Sequence, residues 1–263
     1  MSPVLAAAVL AAAVVPGGFD LAEVQKSGTL RVLAVVVEDE PEFFSLKAGG
    51  APGLDHEILD GFVRLHKLKL QVVRIDAWDA LIPALQKGRG DVIAGRFTGT
   101  EARRKLIDFS VEVFPTRNVV VTRKPHRAVA SVQDLAGDKL GVVKGSSLAE
   151  AIAQARLPGV TVDDGIPSGG ILAALRSGRI TATVDELAGA MIAQRRDPEL
   201  QIGMFLGGRD SYAYGVRRGD EALLKSLDDY VENLRRTPTW NRLVVKYFGD
   251  SAPDILKKAR AGP

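Results

Sequence analysis

The 263-residue chain contains no cysteine. That absence excludes disulfides, thiolate metal sites, a cysteine nucleophile and a lipid-modified cysteine anchor, while leaving the redox compartment open. Aromatic residues make up only 6% of the chain, and no basic run is longer than Arg103-Arg104-Lys105. A nucleic-acid groove of interleaved rings and cations therefore has little to draw on, and no nucleic-acid partner is expected. Charge of either sign is not in excess: 35 basic against 32 acidic residues leave +3. The three histidines, His56, His66 and His126, stand apart, with no His-Glu-x-x-His pair, which removes the usual zinc patterns. There is no Gly-x-Ser-x-Gly elbow. Gly88-Arg-Gly90 lies between a predicted helix and a strand, the reverse of a dinucleotide fingerprint. No metal, cofactor or catalytic residue is expected from these patterns.

Long apolar runs are scarce too. The N-terminal one, Leu5 to Val15, ends at Pro16-Gly-Gly18 and falls short of the roughly 20 residues that span a bilayer. Its length and small residues match a signal-peptide h-region, so residues 1–18 are read as a signal-peptide remnant and the protein as periplasmic or secreted. A buried Ala-rich helix is the alternative. The remainder, in a chain 46% hydrophobic and 25% charged, has the composition of a globular protein and the length for one large domain or two lobes.

Apolar periodicity then gives the element order. Asp20 caps a short helix that Ser27-Gly28 ends. Thr29 to Val37 is a continuous β-branched run, the mark of a strand buried on both faces. The segment from Gly53 opens a helix with Ile58, Phe62 and Leu65 on one stripe. Leu70 to Ile75 is a strand, Asp79 starts a helix with Leu81, Ile82 and Leu85 inward, and Asp91 to Gly95 is a strand again. Alternating strands and helices imply parallel pairing. After a strand at Asn118 to Thr122 the grammar restarts: a capping box at Ser131 to Asp134, then strands at Lys139 to Val143, Val160 to Val162 and Ile180 to Val184 with helices between them. Tyr212 to Val216 is read as a strand returning to the first half, and the C-terminal residues as packing helices.

Candidate functional groups all sit at predicted strand ends, where open α/β sheets bind ligands. Thr98 and Arg103 follow the strand at Asp91 to Gly95. A guanidinium matches a carboxylate bidentately, and a hydroxyl can take a remaining lone pair; a solvated Arg-Arg-Lys helix start is the alternative. In the second half, Ser146 and Ser147 open a helix and suit an anion, or simply cap it. Asp185 and Glu186 offer a carboxylate for an ammonium, or an N-cap pair. Together the set fits a zwitterion held between two halves.

These residues, with Gly28-Thr-Leu-Arg-Val32, Gly53-Leu-Asp-His-Glu57, Trp78 to Leu85, Asp108-Phe-Ser110, Lys144 to Ser147, Gly178-Arg179 and Lys246-Tyr-Phe-Gly249, resemble the family 3 extracytoplasmic solute-binding proteins, the polar amino acid receptors of ABC importers. The resemblance runs from Gly28 to Gly249. It implies an α/β, two-lobed periplasmic-binding-protein-like fold (type II), each lobe a mixed sheet with helices on both faces, joined by two crossover strands. Lobe 1 would be residues 19–118 and 217–263, lobe 2 residues 123–211, and the crossovers 119–122 and 212–216. By the same resemblance Arg103 would pair with a ligand carboxylate, supported by Thr98, Ser147 and Ser146. Trp78 and either Phe43 or Phe44 would wall the ligand side chain, Trp78 being otherwise a core anchor. Counting from Gly178-Arg179 favours Glu186 over Asp185 as the ammonium partner. Arg96 stands where the family usually has a small residue; it would repel an ammonium and suit a second acidic group, unless it points away. The resemblance implies a monomer that captures an amino acid or related carboxylate for the membrane subunits of an ABC permease. A cyclohexadienyl dehydratase-like enzyme and a ligand-sensing module are the alternatives on the same fold.

Overall fold

The computed structural model describes residues 20–36, 41–47, 49–144, 147–167 and 170–261. The expected signal-peptide remnant, residues 1–18, lies outside them, as does Ser146. The chain forms two five-stranded mixed sheets. The first contains β1 (Thr29–Ala34), β2 (Lys69–Arg74), β3 (Val92–Ile93), β4 (Asp108–Phe109) and β10 (Gly215–Val216), in the order β2-β1-β3-β10-β4. The second contains β5 (Phe114–Arg123), β6 (Lys139–Gly141), β7 (Thr161–Asp163), β8 (Ala182–Glu186) and β9 (Leu200–Tyr212), in the order β7-β6-β8-β5-β9. β1 pairs in parallel with β2 and β3, and β6 with β7 and β8. In each half, then, three strands point their carboxyl ends the same way.

The helices are α1 (Leu21–Ser27), α2 (Leu54–Leu65), α3 (Leu81–Gln86), α4 (Glu101–Arg104), α5 (Ser147–Ala155), α6 (Ile171–Ser177), α7 (Leu187–Arg196), α8 (Glu221–Arg235), α9 (Pro238–Phe248) and α10 (Ala252–Ala261). They cover both faces of both sheets. On the first sheet Leu33 and Ile93 meet Leu81, Ile82 and Leu85 of α3, while Leu30, Val32 and Val92 belong to the core cluster holding α2, α8 and α9. On the second, Val120, Leu140 and Val184 pack with Ile152 of α5, and Val119 and Val121 lie in the cluster that holds Leu175, Leu187 and Met191 of α6 and α7. β1 is buried because it lies between two strands, whereas the edge strand β2 alternates between exposed and half-buried residues.

Several boundaries depart from the sequence reading. β5 is longer than expected and β9 was not expected at all; each supplies the other's ladder, Phe114 to Arg123 pairing with Tyr212 to Leu200, with irregularities near Thr116 and Val119. Residues 119–122, expected as a crossover, thus sit inside the second sheet between β8 and β9. The chain passes between the sheets at residues 110–113 and 213–214. At α8, Asp220 makes no side-chain cap; Asp20 supplies one, accepting from the Leu223 N–H at 2.7 Å while it also caps α1. At the amino end of β1, Asp91 (side chain 3% exposed) takes a two-pronged bond from Arg31 at 2.7 and 3.2 Å and also the Arg31 backbone N–H at 2.8 Å.

Candidate functional site

The polar residues of the first lobe follow the carboxyl ends of its parallel strands. Asp55 and Tyr214 lie beneath them, both wholly buried. The Asp55 carboxylate accepts the Gly95 N–H at 3.1 Å, the Tyr214 hydroxyl at 3.1 Å and the Arg96 N–H. These bonds fix a turn after β3 in which Gly95 (φ +85°) and then Arg96 (φ +61°) take left-handed backbone. A side-chain-bearing residue holds that conformation only where its surroundings impose it. Burial pushes the Asp55 carboxyl up to about 6, the three donors offsetting part of the desolvation.

The turn sends the Arg96 side chain (18% exposed) toward the second lobe. Its Nη2 donates to Glu186 Oε2 at 3.1 Å, and its guanidinium lies 5.7 and 5.8 Å from the ring centres of Phe43 and Tyr212. The Tyr212 hydroxyl donates to the same Glu186 oxygen at 2.8 Å, and burial raises that phenol to about 12. Glu186 ends β8 and immediately precedes α7; it makes no cap bond to the helix. The neighbouring Asp185 is turned the other way: Oδ1 accepts the Glu186 N–H at 2.8 Å. The Asp185 carboxylate also lies so close to Gly189 in the first turn of α7 that a β-carbon there would sit 3.0 Å from both its oxygens. Burial pushes it up to about 6.

Arg103 is placed by a separate device. Thr100 caps α4, its hydroxyl accepting the Arg103 N–H at 3.3 Å. The Arg103 guanidinium lies 4.2 Å from the centre of the Phe97 ring and donates through Nη1 to the Thr98 carbonyl at 2.9 Å. Phe97 stacks on Phe109 at 5.5 Å, and Arg104 lies 5.0 Å from the far ring with its Nε on the Gly99 carbonyl at 2.8 Å. Among the described residues no carboxylate pairs with Arg103; burial holds it below the ordinary arginine value, with Asp210 offsetting part of that. Thr98 forms a β-bridge with Tyr212, which links this platform to the Arg96–Glu186 pair.

The expected site thus divides. Arg103 and Thr98 stand together, as do Arg96 and Glu186, and Asp185 adjoins the second pair without sharing its bonds. Ser147 opens α5. Phe43 and Phe44 are each only 2% exposed: Phe43 packs on Phe114, Tyr212 and Phe248 at 5.2–5.4 Å, and Phe44 lies against His56 and beneath Gly95. Trp78, 36% exposed, stands on the surface, not in the core. Sequence reasoning missed Asp55, Phe97, Tyr212 and Tyr214 as positioning residues. The signal for the tyrosines was the alternation Tyr212-Ala-Tyr214, which puts two phenols on one face of an extended strand.

Residues 33–250 match the model of the bacterial extracellular solute-binding proteins, family 3. The chain belongs to that family. The chain is 27% identical over 236 residues to the membrane-bound lytic murein transglycosylase F of Stutzerimonas stutzeri (strain A1501), covering 88% of this chain and 48% of that protein. The family 3 chain therefore spans about half the length of such relatives. It is 27% identical over 217 residues to a "Probable histidine-binding protein" of Neisseria gonorrhoeae, covering 80% of this chain and 79% of the relative. Among solved structures, the L-cystine solute receptor of Neisseria gonorrhoeae in its unliganded open conformation superposes with a TM-score of 0.76 at 18% identity, covering 89% and 98% of the two chains. That likeness concerns the fold: the two mixed sheets are those of a type II periplasmic binding protein. Among the described residues no helix is long and apolar enough to cross a membrane.

Proposed function

We propose that this family 3 protein captures a small carboxylate-bearing solute, an amino acid or a related acid, between its two lobes outside the cytoplasm and presents it to the membrane subunits of an ABC importer. The observation that carries this reading is Arg103. Its half-buried guanidinium is oriented by Phe97 and by one bond to Thr98, and no carboxylate of the described residues satisfies the remaining N–H donors. Ion pairs of this kind are strongest out of water, and a ligand carboxylate supplies the missing partner. In this reading lobe 1 is built on the first sheet and lobe 2 on the second. The hinge lies at residues 110–113 and 213–214, where few residues need change to re-aim the lobes.

The test is a thermal-shift screen across amino acids, hydroxy acids and dicarboxylates, repeated on Arg103→Ala. A ligand that binds only the folded state raises the melting temperature by mass action. The variant is expected to keep its own melting temperature within a few degrees and lose the ligand-induced rise; an undiminished rise removes Arg103 from the site.

The likeness to half of a lytic transglycosylase favours a second reading, a ligand-sensing module acting on a partner enzyme. Capture of permease subunits by the liganded protein separates the two. A dehydratase reading has no observation of its own in its favour: Glu186 Oε2 is engaged by two donors of the chain itself.

A further inference from the structure

We propose that Arg96 stands in for the ammonium of an amino acid, so that the solute is an acid whose α substituent is uncharged: a 2-hydroxy acid or an N-acyl amino acid. The inference rests on the carboxylate-binding reading and narrows it. A receptor for a zwitterion needs an anion whose charge is available to the ligand. Here the facing anion is Glu186, and its charge is already balanced by the Arg96 guanidinium at 3.1 Å, with the Tyr212 hydroxyl on the same oxygen at 2.8 Å.

Arg96 is not placed to give way. Its backbone is held left-handed by the buried Asp55, and its guanidinium is enclosed beside Phe43 and Tyr212. An ammonium at Glu186 would share one carboxylate with a guanidinium that is itself only 18% exposed, and the two cations would repel. Asp185 makes no bond to Arg96 among the described residues: its Oδ1 accepts the Glu186 N–H and its carboxylate lies against Gly189 in the first turn of α7. Among the described residues the bonds from Arg96 and Tyr212 both end on Glu186 Oε2, which leaves Oε1 to a ligand, and the side chain is 44% exposed. A neutral hydroxyl or amide N–H can use that oxygen without adding charge. Arg103 takes the carboxylate, Glu186 a neutral donor, and the cation count of the site stays as the chain sets it. Rejection of the free amino acid comes from a repulsive element in the chain itself.

The experiment is isothermal titration of the whole chain with matched trios: phenylalanine, phenyllactate and N-acetylphenylalanine; alanine, lactate and N-acetylalanine; glutamate, 2-hydroxyglutarate and N-acetylglutamate. In the trio with the tightest member, one of the two uncharged-α acids is expected to bind at least about tenfold more tightly than its amino acid. Arg96→Gln, which removes the cation and keeps an amide donor for Glu186, is expected to shift that ratio at least about tenfold toward the amino acid. An amino acid that binds as tightly as, or more tightly than, both partners in the unaltered chain overturns the inference, whatever becomes of the variant; so does an unchanged ratio in a folded Arg96→Gln. If instead the acids bind and Arg103→Ala leaves them bound, the carboxylate reading itself fails, and this inference with it.

Discussion

Phe43 meets three aromatic rings and a guanidinium at the junction of the two sheets. Phe43→Ala removes a side chain that is 2% exposed and leaves a cavity among rigid rings, so a loss of about 3–5 kcal/mol is expected by urea unfolding. Trp78→Ala, at a surface position, should stay within about 0.5 kcal/mol of the unaltered protein. The contrast reverses what residue type alone suggests, since a loop phenylalanine and a tryptophan after a strand both resemble ligand walls. Arg103 and the Asp185–Glu186 pair stood out in the sequence as charged groups at predicted strand ends, and the family resemblance alone favoured Glu186 over Asp185. Asp55 did not stand out. A carboxylate opening an apolar helix reads as a favourable charge at a helix N-terminus, and only the tertiary approach of Gly95, Arg96 and Tyr214 makes it a buried acceptor.

Two carboxylates show how much one element depends on a single anion. Asp91 holds the start of β1 and the approach to β3 through Arg31, with Arg217 Nη2 3.7 Å away. Removing it leaves cations at a buried position, and Asp91→Ala is expected to cost about 3–5 kcal/mol, read as a lower urea midpoint. At the other end of the sheet, burial raises the pKa of Asp55 from 3.8 to about 6. The folded state therefore holds the proton at pH values where the unfolded chain has released it. This contribution is fully present below pH 4 and lost as pH rises through 6. Asp55→Asn abolishes that dependence. The stability of the unaltered protein relative to Asp55→Asn should thus rise as pH falls from 7 to 4, with a slope of at most about 1.4 kcal/mol per unit; stability curves that stay parallel across that range would exclude the upward shift of the Asp55 carboxyl. The parallel strands and their helices were legible from periodicity, because β1 and α2 carry their burial pattern in their own residues. β9 was not: its residues carry no regular apolar alternation from end to end, and the facing ladder of β5 makes Leu200 to Tyr212 continuous strand.

One apolar cluster joins Leu30 and Val32 of the first sheet to Val119 and Val121 of the second, and to Trp240 and Phe248 of α9. Polar bonds cross the same junction: Arg195 Nη1 donates to the Tyr247 carbonyl at 2.9 Å, and Arg196 pairs with Glu42 at 2.9 Å. The two halves are therefore expected to unfold together, with tryptophan fluorescence and far-ultraviolet circular dichroism giving the same urea midpoint. Separate midpoints would mean that the junction contributes little. The order of strands also sets a timetable for synthesis. Every strand of the second sheet lies between residues 114 and 212, so all its partners have left the ribosome before the first sheet has its own. Among the described residues β10 alone links β3 to β4, and it is the last strand in the chain. A released chain ending at residue 213 would hold every described strand of the second sheet while Ile93 of the first lacks its partner on one edge. Such a chain leaves unpaired the edge of a strand that the whole protein places inside a sheet, the kind of edge that invites pairing with other chains.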